Sequence, residues 1–297
     1  MNEVRSVVIV GTGAAGYAVA EGLHMQGFTG EVTLVGEEHG EPYDRPPLTK
    51  EILAGVWEPE RAVLLAAKRV APLHPVVLAG VRADALDVAN HQLTLSDGQV
   101  LGYDALVVAT GVYPRSLPHP DGANVHVIRT MDQSLALRAE LREGGRFVVV
   151  GGGFLGLEAA ATARKLGALV NVVEPIPGPP LANRIGNTAS SKLLALHTDN
   201  DVRVQTGIGV DTIEAGDEAA IALKLSDGSR LDADVVLISI GATPSVSWLE
   251  GSGLPLENGL VCDEYCHAGN DVWGAGDVAS WMHVGYGRRL RLEHRTN

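Results

Sequence analysis

The apolar positions of this chain fall in short unbroken runs, and several of those runs stop at a cluster of glycines. Ser6-Val7-Val8-Ile9-Val10 is the first, a short β-branched stretch that predicts a strand. It opens into Gly11-Thr12-Gly13-Ala14-Ala15-Gly16, after which the spacing turns helical as far as His24, with Gly27 placed as a C-cap. Glu31-Val32-Thr33-Leu34-Val35 predicts a second strand, and Glu37 and Glu38 stand just past its end. Strand, GxGxxG, helix, strand and an acid about 20 residues after the last glycine make up a dinucleotide-binding βαβ unit.

The pattern then repeats. Phe147-Val148-Val149-Val150 leads into Gly151-Gly152-Gly153-Phe154-Leu155-Gly156, a helix through Lys165, and the strand Leu169–Val173 closed by Glu174. A second pair of repeats accompanies the first. Leu93-Thr-Leu-Ser-Asp-Gly98 runs through Asp104 and Leu106 to Gly111 and Pro114, and Leu223-Lys-Leu-Ser-Asp-Gly228 runs through Asp234 and Val236 to Gly241 and Pro244. These stretches align without a gap, each a hairpin followed by an apolar strand. One GxGxxG is a weak signal, but two with matching flanks are strong. The expected fold is α/β with two Rossmann-like domains. Residues 1–112 and 242–297 would form a discontinuous first domain, with 113–241 inserted as the second.

Composition narrows the class. The 297 residues, 45% hydrophobic and 20% charged, suit a soluble two-domain protein, and 36 glycines exceed the average without any collagen-like period. A net charge of −13 disfavours nucleic acid and anionic membrane. The exception is the basic C-terminal stretch Arg288, Arg289, Arg291 and Arg295, read as a solvated edge in preference to a docking site. Two cysteines, no signal-peptide pattern and no apolar stretch of about 18 residues predict a cytoplasmic enzyme without a membrane span. The histidines show no metal-ligand spacing, so no metal site is expected.

The glycines have a chemical purpose. A pyrophosphate needs backbone N–H groups and a helix N-terminus close to it, and a side chain there would keep it away. Gly11, Gly13 and Gly16, with Ala14 and Ala15, would hold one such group, and Gly151, Gly153 and Gly156, with Leu155, the other. Glu37 and Glu174 fit the carboxylates that bind a ribose, with Glu38 beside the first. A carboxylate repels a 2′-phosphate, and no Arg or Lys follows Glu174 for several residues, which predicts NADH over NADPH. Cys262 and Cys266 lie in a polar stretch before Gly276-Asp277 and are read as structural thiols.

Further motifs carry a resemblance over nearly the whole chain. Pro42-Tyr43-Asp44-Arg45-Pro46-Pro47-Leu48-Thr49-Lys50, Ala109-Thr110-Gly111, Gly151–Gly156 with Glu158, and Gly274-Ala275-Gly276-Asp277 resemble the FAD-dependent ferredoxin reductases, the putidaredoxin and rubredoxin reductase group. The resemblance implies glutathione-reductase-type domains, FAD in the first and NADH in the second. It places Arg45 and Lys50 along the flavin, Lys50 paired with Glu158, and Phe154 as the ring at the nicotinamide site. It assigns Asp277, beside Gly276, to a ribitol hydroxyl, and Arg129, the backbone at Ala83, Ala109-Thr110-Gly111 and Gly241 to further cofactor contacts. Without their motif, Lys50 and Glu158 would read as surface charges and Phe154 as core.

The resemblance also implies a departure. The family continues for about a hundred residues more, a further domain, past a Glu-His-Trp motif where this sequence has Glu293-His294-Arg295. Arg295 therefore stands where a tryptophan backbone meets the flavin, and the C-terminal interface domain is expected to be missing. A truncated form, a minimal enzyme or half of a split reductase would each leave the flavin more exposed and less tightly held than in relatives, and a homodimer or a missing C-terminal partner chain is a separate expectation. The expected function is NADH oxidation through FAD to a [2Fe–2S] ferredoxin or rubredoxin serving a P450 or Rieske oxygenase. The alternatives are a stand-alone flavoenzyme reducing oxygen, a quinone or a small metabolite, and a redox-sensing flavoprotein of the apoptosis-inducing-factor type.

Overall fold

A continuous apolar run is explained when both faces of its strand are covered. In the computed structural model, which describes residues 4–216 and 221–292, the strand Ser6–Val10 lies inside a six-stranded sheet. Val8 and Val10 face a core with Leu93, Leu106 and Leu260, while Val7 and Ile9 face another with Tyr17, Ala20 and Leu34. Each such side chain, fully buried, contributes about 1.5–3 kcal/mol. The sheet runs in the order His267–Gly269, Val272–Gly274, Ala105–Val108, Ser6–Val10, Glu31–Gly36 and Val76–Ala79, parallel except for its first member.

The described residues fall into two units, bounded Met1–Asp44, Val63–Tyr113 and Thr243–Asn297 for the first, and Arg45–Ala62 and Pro114–Ala242 for the second. The second unit has its own parallel sheet, in the order Val202–Thr206, Leu169–Glu174, Arg146–Val150, Val235–Ile238 and Val125–His126. In each unit a strand leads to a twelve-residue helix, Ala14–Met25 in the first and Phe154–Lys165 in the second. Gly27, with φ +75°, follows the first helix in the left-handed conformation that ends helices.

The paired hairpins have a common design. Asp97 and Asp227 each accept a hydrogen bond from the backbone two residues on, and Gly98 and Gly228 follow with φ of +86° and +83°. Their strands belong to three-stranded antiparallel sheets in their own units. The aspartate before each closing strand also serves one purpose twice. Asp104 accepts the backbone N–H of Arg5 and Ser6 at 2.8 and 2.9 Å, and Asp234 accepts the Arg146 N–H at 2.8 Å and its guanidinium at 2.5 Å. Each carboxylate thus pins the start of its unit's glycine-turn strand to the start of the strand beside it.

The segment 45–62 differs from the sequence-based expectation, which placed it in the first domain. It packs in the second unit, where Leu48, Ile52 and Leu53 are buried. The hydroxyl of Ser134 donates to the Leu48 carbonyl at 2.6 Å, that of Thr162 to the Thr49 carbonyl at 2.7 Å, and Arg138 to the Ile52 carbonyl at 3.3 Å. A short strap has no sheet to satisfy its carbonyls, so side chains of two helices do so instead. No helix among the described residues is long and apolar enough to cross a membrane.

The two pinning aspartates generate a pH dependence. Hydrogen bonds from the Arg5 and Ser6 backbone hold Asp104 below the ordinary carboxylate range, and those from the Arg146 side chain and backbone do the same for Asp234. Their contribution is complete above the unfolded value, about 3.9, and is lost as pH falls through the lower folded values. Urea unfolding from pH 7 down to pH 2.5 is expected to show this loss, and the Asp104→Asn, Asp234→Asn double variant a flatter profile. Parallel profiles would refute the assignment.

Candidate functional site

The two glycine turns match atom for atom. Gly11 N–H donates to the Val35 carbonyl at 2.7 Å, and Gly151 N–H to that of Val173 at 2.8 Å. Gly11 has φ +124° and Gly151 φ +107°, and a Cβ on either would collide with a carbonyl of the closing strand's end, Ala109 or Ser239. A Cβ on Gly16 or Gly156 would strike the carbonyl of Gly11 or Gly151. Gly13 and Gly153 are different: a Cβ there would meet nothing within 4 Å. The outer glycines are required by the chain itself, whereas the middle one keeps open space in front of a helix N-terminus.

That space suits an anion. Among the described residues neither helix has a side-chain N-cap or an acid in its first turn, so the partial positive charge of each N-terminus is left for a ligand. In the first unit, Ala14 and Ala15 begin the helix, and Ala109-Thr110-Gly111 lies against the turn. Thr110 donates its hydroxyl to the Ser245 carbonyl at 2.7 Å, which ties the turn to the returning chain. Gly276, with φ +73°, brings Asp277 beside the helix start, since a Cβ on it would come within 2.7 Å of the Ala15 Cβ. Ala83 is buried at the head of a hairpin strand opposite Leu95.

The acids are already engaged by the protein. Glu174 Oε2 accepts the Gly152 N–H at 2.7 Å and Oε1 the Ile176 N–H at 2.9 Å, which fixes the carboxylate at the second turn. Glu37 accepts a hydrogen bond from the Tyr113 hydroxyl at 2.9 Å, and Glu38 accepts one from Tyr43. Burial, opposed by a hydrogen bond from Ser245 and reinforced by Glu37, pushes the Tyr113 phenol up. The sequence assigned neither tyrosine a contact, although Tyr43 lies in the motif that carries the family resemblance. Tyr113 is 76 residues from Glu37, and nothing local marks it.

In the second unit the strap meets the nucleotide-turn helix. Lys50 Nζ lies 3.2 Å from Glu158 Oε2, and Thr49 donates its hydroxyl to that same oxygen at 2.7 Å. Phe154 is the first residue of this helix and is half-buried. Arg45 donates to the Arg129 carbonyl, and the Arg129 N–H donates to Gln133, which with Thr130 caps the next helix. The structure therefore brings Lys50 to Glu158 and Arg45 to Arg129. The sequence assigned no role to Thr49, which it showed only as part of the motif, or to Thr162, although Thr162 lies one turn beyond Glu158 on the same helix face. Gly241, with φ +97°, follows the second closing strand and precedes the short strand Ala242–Pro244, and Arg295 lies outside the described residues.

Two such turns, one per unit, suit two dinucleotides. Residues 5–294 match the pyridine nucleotide-disulphide oxidoreductase family model. The chain belongs to this family. It is 36% identical over 296 residues to rhodocoxin reductase of Rhodococcus erythropolis, covering 98% of this chain and 69% of that one. It is 36% identical over 294 residues to the ferredoxin–NAD(+) reductase component of the p-cumate 2,3-dioxygenase system of Pseudomonas putida, covering 96% and 71%. The crystal structure of the covalent putidaredoxin reductase–putidaredoxin complex superposes with TM-score 0.92 at 35% identity, covering 98% of this chain and 72% of that one.

In this member of the family the cysteines have no activated thiol. Cys262 is buried in the first unit's core, its Sγ–H directed at the Leu260 carbonyl, and burial pushes its thiol up to about 11. Burial also raises the thiol of Cys266. Redox pairs need the opposite shift. Of the basic C-terminal stretch, Arg289 and Arg291 are used internally. Arg289 donates to the carbonyls of Cys262 and Ser280 at 2.6 Å, and Arg291 to Asn258 at 3.2 Å.

The glycine geometry separates folding from binding. Gly11→Ala and Gly151→Ala are expected to lose on the order of 3 kcal/mol of stability from the strained backbone. Gly13→Ala and Gly153→Ala are expected to fold with a loss under about 1 kcal/mol, yet to bind FAD and NADH respectively about tenfold more weakly. Thermal unfolding and equilibrium binding check both, and equal effects on stability at the outer and middle glycines would contradict the division.

Proposed function

We propose that the chain is an FAD-containing ferredoxin–NAD(+) reductase, taking a hydride from NADH and passing its two electrons singly to an iron–sulfur protein. The observation that carries this reading is the Lys50–Glu158 pair. A lysine of the flavin-motif strap is held by a carboxylate on the helix that starts at the second glycine turn. Gly11, Gly13 and Gly16, with Asp277, would hold FAD, and Gly151, Gly153 and Gly156, with Glu174, would hold NADH. When bound, FAD supplies acceptance of an electron pair and its release in single steps. Lys50 would then provide fixed positive charge for the reduced flavin, Glu158 holds that ammonium, and Phe154 would shield the nicotinamide face.

The overall balance is one NADH oxidised to NAD(+) and a proton while two ferredoxins each gain one electron. The partner is read as a [2Fe–2S] ferredoxin or rubredoxin, since the relatives include a putidaredoxin reductase and a dioxygenase-system component. Free thiols at Cys262 and Cys266 suit a reducing cytoplasm. Glu174 favours NADH, because a carboxylate fixed at the turn would repel the 2′-phosphate of NADPH.

Measuring NADH consumption by the FAD-loaded chain tests the reading, with ferredoxin plus cytochrome c, with a quinone, and with air alone. Turnover that requires ferredoxin is expected, and equal turnover on quinone or air without it would replace the reading with that of a stand-alone flavoenzyme. In the same assay kcat/KM for NADH is expected to exceed that for NADPH by at least about tenfold, a 1.4 kcal/mol difference. Parity would remove the role given to Glu174.

A further inference from the structure

The Lys50–Glu158 pair is not self-sufficient. Its side chains are 35% and 37% exposed, and an ion pair so open to water fixes geometry weakly. Beside it stands a hydroxyl that water does not reach. Thr49 is 3% exposed, and its Oγ1 donates to Glu158 Oε2 at 2.7 Å, the same oxygen that Lys50 Nζ approaches at 3.2 Å.

We propose that Thr49 is a positioning residue whose hydroxyl fixes the Glu158 carboxylate and, through it, the Lys50 ammonium. This rests on the ferredoxin reductase reading for what Lys50 does, but not for the bond itself. The strap does not need this hydroxyl for its own docking. Its carbonyls are held by Ser134 at Leu48 and by Thr162 at Thr49, and neither bond uses the side chain at position 49. Thr162 and Glu158 are one turn apart on one helix, so Thr49 is gripped at its carbonyl by the first and grips the second with its side chain. A two-point attachment of this kind sets the carboxylate's direction. A charge-assisted bond from a buried donor is also the stronger kind of hydrogen bond.

Thr49→Val keeps the shape and the backbone bonds and removes only the donor; Thr49→Ser restores the donor. In the FAD-loaded protein, Thr49→Val is expected to reduce the flavin about tenfold more slowly at saturating NADH, because small misplacements at a reacting site have effects of this size. NADH affinity is expected to stay within about twofold, below the tenfold step of 1.4 kcal/mol. The midpoint potential of the bound flavin, read by reductive titration without NADH, is expected to move negative as Lys50 loosens and to return with Thr49→Ser. In a Glu158→Gln background, Thr49→Val should add less than about twofold, since the two side chains act as one unit.

A wild-type potential and rate in Thr49→Val, or its full effect persisting on top of Glu158→Gln, would leave Thr49 with packing alone and overturn the proposal. Should Thr49→Val fail to fold, Thr49→Cys, a weak donor of similar size, is compared with Thr49→Ser by the same readouts. If the wild-type protein takes no hydride from NADH, the ferredoxin reductase reading fails. The potential shift between Thr49→Val and Thr49→Ser still decides the role of Thr49.

Discussion

Each unit depends on a place where the backbone of one strand's end passes over the carbonyl of the next. Gly11 crosses Ala109 and Gly151 crosses Ser239, so closely that no side chain fits. That crossing aims the helix N-terminus outward, with Gly13 or Gly153 at its mouth. It also requires the closing strand to be in register. Ala109 N–H donates to the Val10 carbonyl, and Ser239 N–H to that of Val150, each at 2.7 Å. The pinning by Asp104 and Asp234 at the opposite end of the same strands completes the alignment. An open, uncapped helix N-terminus thus follows from how two neighbouring strands are held at both ends.

The same design, present twice, then takes different side chains. In the first unit the acids past the second strand are met by tyrosines, Tyr113 on Glu37 and Tyr43 on Glu38. In the second, Glu174 turns back onto the glycine turn itself, through Gly152 and Ile176. The second unit also receives the strap, and with it Arg45 and Lys50. The lysine of the strap and the helix of the second glycine turn are therefore parts of one packed body, which lets a carboxylate on that helix hold the lysine. Buried hydroxyls of Ser134, Thr162 and Thr49 make the joint, and each spans a large sequence separation, 86, 113 and 109 residues.

Much of this was legible in the residues, and the order of legibility has a physical cause. The glycine turns, the acids after the strands and the repeated hairpins are local requirements of backbone conformation, and a residue that must have φ above zero or no Cβ declares itself in sequence. The family motif then marked Lys50 with Glu158 and Asp277. What did not show was which unit the strap joins. Its prolines and leucines say only that it must be buried, not against what. Thr49 and Tyr113 were missed for the same reason, since a hydroxyl has no sequence pattern until its distant acceptor is known.

The sequence by itself determined where two glycine turns lie and that an equivalent strand follows each hairpin, because the turns declare themselves through the sterics of glycine and the strands through a motif that repeats without a gap. The tertiary structure alone decided that residues 45–62 pack in the second unit, that Thr49 and Lys50 share one oxygen of Glu158, and that Glu174 is held by the turn it serves. Those are hydrogen bonds between groups brought together only when the sheets are assembled, and their distances are set by packing that no local pattern encodes.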